Sequence, residues 1–138
     1  MKYLVMVQGS AVDYEAMAGR PGPGGPAWTR KDLDVMFAHM GALNEELRAS
    51  GELLDAQGLT SPAETRLVTA DSGGAPVVTD GPYAETKEVV AGFWLLECAS
   101  LDRVTEIAAR AAACPQPPGA PEHPVVIRRV DEVGPRQD

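Results

Sequence analysis

Cysteine, histidine and aromatic residues are scarce: two Cys, two His and 5% Phe, Tyr and Trp in 138 residues. Cys98 and Cys114 fall in neither a C-x-x-C pair nor a Cys/His spacing able to hold zinc, so they read as reduced core thiols. Long apolar runs are lacking too. Nothing approaches the roughly 20 residues needed to cross a bilayer, and Tyr3 to Val7 is too short for the apolar region of a secretory leader. The expected location is the cytoplasm, with no membrane partner.

Basic residues are outnumbered, 12 Lys and Arg against 20 Asp and Glu, for a net charge of -8. Affinity for a phosphate backbone comes largely from clustered Lys and Arg. The densest pair, Arg128 and Arg129, would point to opposite faces of a strand, so nucleic acid is set aside as a partner. The chain has no G-x-x-x-x-G-K-[ST], no G-x-G-x-x-G after a strand, no H-E-x-x-H and no G-x-S-x-G. Nucleotide hydrolysis, dinucleotide binding and zinc proteolysis therefore lack support, and neither cofactor nor metal is expected.

What is present suits one folded domain over residues 1–138: 44% hydrophobic and 23% charged residues, at a length where one core suffices. Lys2 to Gln8 is rich in β-formers and apolar on both alternating faces, the pattern of a central strand. From Gly9 to Pro26 the chain turns to Gly, Pro, Ala and acidic residues, which reads as a surface loop at 9–28. Thr29 and Asp32 match a capping box for a helix to about Ser50, with Gly51 as its stop. Leu33, Met36, Phe37, Met40, Leu43 and Leu47 line one stripe of that helix.

Three short β-like runs follow, Glu52 to Gln57, Thr65 to Ala70 and Ala75 to Thr79, the last two joined by a turn at Asp71 to Gly74. Gly92 to Cys98 is another strand apolar on both faces. Ser100 caps a second helix with Leu101, Val104, Ile107, Ala108 and Ala111 inward. A Pro-rich connection at 115–124 leads to a last strand, Val125 to Val130. This order predicts an α+β ferredoxin-like sandwich, two helices on one face of an antiparallel sheet. The second face of the two-sided strands then needs a cover, and a second copy is the simplest one, so a homodimer is expected.

One polar segment stands out, Asp80-Gly81-Pro82-Tyr83-Ala84-Glu85-Thr86-Lys87-Glu88. Asp often starts a turn by accepting from the amide two residues on, but that residue is Pro82, which has no N–H. Asp80, Glu85 and Glu88 with Lys87 could converge near a sheet end to hold a cation, position a polar substrate or serve general acid–base chemistry. The same charges could also simply solvate a loop.

The run VVTDGPYAETKEVVAGFWLLE resembles the signature of the DGPF branch of the YCII-related proteins, with Tyr83 where the motif name has Phe. The first strand MKYLVMV, the helix end NEELRASGELL and the last strand VVIRRV agree in order. The resemblance implies a dimeric α+β barrel and a cleft lined by Asp80, Gly81, Pro82, Glu85, Lys87 and Glu88. It also implies a link, for some members, with extracytoplasmic-function sigma factors, and for others a catalytic His beside an Asp. Here the histidines are His39 and His123. His39 shares a helix edge with Asp32 about 10 Å away by helix rise, too far for a bond, and reads as bordering the core. His123, in the Pro-rich connection, reads as exposed.

Asn44 falls inside the apolar stripe, where an amide must find partners. A strand backbone or a ligand would serve. Tyr83 and Trp94 could wall a pocket, although Trp94 suits the core as well. The candidate ligand-binding set is thus Asp80, Gly81, Pro82, Tyr83, Glu85, Lys87 and Glu88, with His39 and Asn44 from the helix. Three functions compete. One is a dimeric domain binding a small molecule, in the service of sigma-factor-dependent transcriptional control. Another is a cofactor-independent enzyme with Asp80 or Glu85 as proton acceptor and Lys87 as electrostatic stabiliser. The last is a protein-binding partner of a sigma factor.

Overall fold

A computed structural model describes residues 1–80 and 87–133, Asp80 by its backbone alone. The elements run β1 (Lys2–Gly9), α1 (Ala11–Met17), α2 (Arg30–Ala49), β2 (Leu53–Gly58), β3 (Arg66–Ala70), β4 (Pro76–Asp80), β5 (Val89–Glu97), α3 (Leu101–Ala112) and β6 (Val126–Arg129). β1, β5, β2 and β6 form an antiparallel sheet in the order β2-β5-β1-β6. The two runs that are apolar on both faces are therefore its central strands, and the fold is the α+β ferredoxin-like one. Among the described residues no helix is long and apolar enough to cross a membrane.

One sheet face carries the core. Tyr3, Val5, Trp94, Leu96 and Cys98 pack with Leu43 and Leu47 of α2 and with Val104, Ile107, Ala108 and Ala111 of α3. Thr29 and Asp32 form the expected capping box, each satisfying the other's backbone N–H. Gly51 follows α2 at φ 79°, the left-handed conformation that favours glycine. On the opposite face, Leu4 lies between Leu95 and Arg128, and Met6 lies between Phe93 and Val126. The five apolar residues of these two rows are half-buried, and α2 and α3 lie on the other side.

Several expectations are corrected. The segment read as a loop from Gly9 contains α1, started by a capping box of its own, Ser10 with Asp13. The Gly and Pro that follow, through Pro26, hid this short helix. Phe37 is 63% exposed and Leu101 58% exposed, because each helix buries a narrower face than its apolar stripe. Asn44 bonds a side chain rather than a strand backbone: its Oδ1 accepts from Trp94 Nε1 at 2.7 Å. The β3–β4 hairpin forms a two-stranded sheet of its own. Its turn is closed by Asp71 Oδ1, which accepts from Gly73 N at 2.8 Å and Ala75 N at 2.9 Å.

An ion pair ties the start of β2 to α3. Arg103 donates from Nε to Glu52 Oε2 at 2.9 Å and from Nη2 to Oε1 at 2.8 Å, and Ser50 Oγ adds a 2.8 Å bond. The Arg103 hydrogen bonds hold the Glu52 carboxyl at about 2, against an ordinary value of 4.5. Burial, followed by the nearby Glu52 charge, pushes the Cys98 thiol up to about 11. A depressed carboxyl contributes stability that is present above its unfolded value and lost as pH falls through its folded one. Urea unfolding of the native chain and of Glu52→Gln is therefore expected to show a stability gap that is constant above about pH 5. The gap should shrink between 4.5 and about 2; a gap independent of pH over that interval would contradict this assignment.

Candidate functional site

The end of the sheet where β1 finishes and β5 begins gathers three elements. Gly9 pairs with Val89 there, so Ser10, which starts α1, and Glu88, which precedes β5, come to the same edge. β6 pairs with β1 from Met6 opposite Val126, which brings the end of the Pro-rich connection alongside. His123 is on that connection between Pro121 and Pro124, whose rings restrict the backbone on either side.

His123 sits between two carboxylates. Its Nε2 is 2.7 Å from Asp13 Oδ2 and its Nδ1 is 3.0 Å from Glu88 Oε1. The imidazole is 22% exposed and Asp13 20%, so His123 is a half-buried group, which corrects the expectation of an exposed one. Asp13 is fixed by the fold. The same Oδ2 accepts from the buried Ser10 N at 2.7 Å, while Ser10 Oγ accepts from Asp13 N at 3.3 Å. Glu88 is the more exposed partner, at 36%.

A neutral imidazole has one N–H and one acceptor nitrogen, whereas an ionised carboxylate only accepts. Satisfying both contacts thus takes one proton more than neutral His and two carboxylates carry. Each ring nitrogen thus faces a carboxylate, one held by the α1 cap and one more exposed. Asp13 sets the orientation of the ring in the manner of the carboxylate in a His–Asp pair.

Tyr14 fastens α1 to the sheet beside this cluster. Its hydroxyl donates to Leu59 O at 2.7 Å and lies 3.3 Å from Ala91 O, and burial raises its pKa. A groove of about 330 Å³ opens between the 59–65 segment and Val89 and Val90 at the start of β5. Glu88 is thus one residue from a groove wall. The size is at the lower end of the range for small-molecule sites.

Of the residues singled out from sequence, Glu88 is at this cluster, and exposed Lys87 is its chain neighbour. Asp80 ends β4 opposite Arg66. Gly81, Pro82, Tyr83 and Glu85 lie outside the described residues. His39 and Asn44 are placed elsewhere. His39 Nε2 is 2.8 Å from Arg110 O and joins α2 to α3, while Asn44 is taken by the core residue Trp94. Among the described residues no group of His, Cys, Asp and Glu is arranged to hold a metal. Asp13 was missed because the loop reading hid its helix, although Ser10-x-x-Asp13 is the same capping signal that located α2. His123 gave no local signal, since both its partners are distant in sequence.

The family model of the YCII-related domain matches residues 1–124, a span that takes in β1, Asp13, Glu88 and His123. An uncharacterised protein of Rhizobium meliloti (strain 1021) is 33% identical over 82 residues, which are 59% of this chain. The match covers 65% of that relative's own length, just under two thirds.

Ser10→Ala, which removes an N-cap, is expected to cost about 1 kcal/mol in denaturant unfolding. Hydrogen exchange should quicken at residues 11–17 and, through Asp13, around His123. Exchange unchanged around His123 would show that Asp13 does not anchor that segment.

Proposed function

The chain belongs to the YCII-related family, and on that premise we propose that it binds a small polar molecule at the sheet end beside His123, where proton transfer can occur. The observation that carries this reading is the placement of both His123 ring nitrogens within hydrogen-bond distance of carboxylates, at 2.7 and 3.0 Å. Asp13, held by the α1 cap, is the orienting partner. Glu88, more exposed, is the partner that a ligand's own hydroxyl, amine or carboxyl group would displace or join. The neighbouring groove would take the rest of the molecule. Asp80, Gly81, Pro82, Tyr83, Glu85 and Lys87 precede Glu88 in the chain and are proposed to shape the same mouth, with Lys87 favouring an anionic group.

This reading shifts the proton-handling role from Asp80 or Glu85 to His123. It accommodates either an acid–base enzyme or a sensor that serves sigma-factor control, because both need the ligand held at the same place. Turnover separates them. We also propose a homodimer, supported by the apolar sheet face of Leu4, Met6, Phe93, Leu95 and Val126 that α2 and α3 leave uncovered. A cytoplasmic location fits the free Cys98 and Cys114.

The test is a thermal-shift screen of small carboxylic acids, amines and hydroxy compounds, with His123→Gln and Glu88→Gln as matched variants. Hits are expected to stabilise the native chain and to lose at least tenfold in affinity in His123→Gln. Conversion of a hit to product would assign an enzyme, and stabilisation without conversion would assign a sensor. Hits that bind His123→Gln as tightly as the native chain would overturn the site.

A further inference from the structure

The β3–β4 ribbon is a structure that needs a partner. A two-stranded hairpin is marginal in water unless it packs on something, and among the described residues this one pairs with no third strand. Cross-strand register places Val68 opposite Val78 and Ala70 opposite Pro76 on one face, with Leu67 opposite Thr79 and Thr69 opposite Val77 on the other. Both faces are open: Leu67 is 39% exposed, Val68 59%, Val77 47% and Val78 46%. The ribbon thus does not lie on its own sheet.

We propose that the ribbon is an arm that packs on a second copy of the chain, closing over the edge of the partner's sheet. This rests on the homodimer proposed above and adds its geometry. The second copy is favoured over an unrelated protein because one molecule carries two surfaces that lack cover, the ribbon and the Leu4–Phe93 sheet face. A two-fold axis lets each copy cover the other's. Charge agrees. Across the uncovered face, Asp55 pairs with Leu95, Leu95 with Leu4 and Leu4 with Arg128, so one row has an acid at the β2 edge and a base at the β6 edge. Turned over about an axis along the strands, the row sets each Asp55 against the partner's Arg128.

Area points the same way. Four strands at about 4.8 Å spacing and about six residues along give a footprint of roughly 400 Å², while stable interfaces bury about 800 Å² per partner. The sheet face by itself falls short, and the ribbon's two apolar faces supply further area. The ribbon leaves the sheet after β2 and returns at β5, the β2 side, which the same axis places over the β6 edge of the partner. Among the described residues no strand pairs with that outer edge, and an open sheet edge calls for cover.

The experiment is sedimentation equilibrium at micromolar concentrations together with hydrogen exchange of residues 66–79. The native chain is expected at twice 14.6 kDa. Val68→Lys with Val78→Lys, and the milder Val68→Thr with Val78→Thr, should weaken the dimer by at least tenfold and tenfold or less respectively, with helix exchange unchanged. Arg128→Asp should weaken it too, and adding Asp55→Arg should restore it. Ribbon amides should lose protection on dilution to monomer. A dimer restored by the charge swap but indifferent to both ribbon variants would overturn the arm and leave the homodimer standing. A native chain of 14.6 kDa at every concentration would overturn both.

Discussion

Antiparallel pairing of β1 with β5, from Lys2 opposite Glu97 to Gly9 opposite Val89, is the constraint on which the remaining structure depends. It places the two strands at the centre of the sheet and gives each a buried and a half-covered face. It also sets the end of β1 against the beginning of β5. Ser10, Asp13 and Glu88 meet there, and β6 pairing on the other side of β1 delivers His123. The core and the candidate site are thus two consequences of one ladder.

Polar groups near this ladder are handled in two ways. At the core, Trp94 donates to Asn44 and Arg103 clamps Glu52. Both join the sheet to a helix, and both are closed pairs with their hydrogen bonds made. At the sheet end, His123 faces two acceptors with a half-open partner in Glu88. A newcomer can reach that ring by way of Glu88, whereas a closed pair admits none without losing packing. This contrast, rather than the presence of charge, distinguishes a candidate site from structural polar contacts such as His39 with Arg110 O.

The acidic composition has a local meaning as well. α1, α2 and α3 each have an Asp in the first turn, and in α1 that Asp is shared between the helix amide end and an imidazole. A capping residue is thereby tied to the candidate site. The fold couples α1, only seven residues long, to the chain segment 110 residues away.

Much of this was legible in the sequence by itself. Period-two and period-3.6 apolar patterns, the Thr29–Asp32 box, Gly51 and the Asp71 to Gly74 turn are local signals, and each produced the element it implies. The two-faced runs Lys2 to Gln8 and Gly92 to Cys98 identified the central strands. The polar segment ending at Glu88 led to one of the three residues of the cluster. Tertiary structure decided the rest. Whether Phe37 and Leu101 are buried depends on how far each helix overlies the sheet, and Asn44's partner depends on which strand it crosses. The meeting of Asp13 with His123 depends on two strand registers and a rigid proline connection. Contacts between residues so far apart leave no periodicity in the chain, so no local pattern could record them.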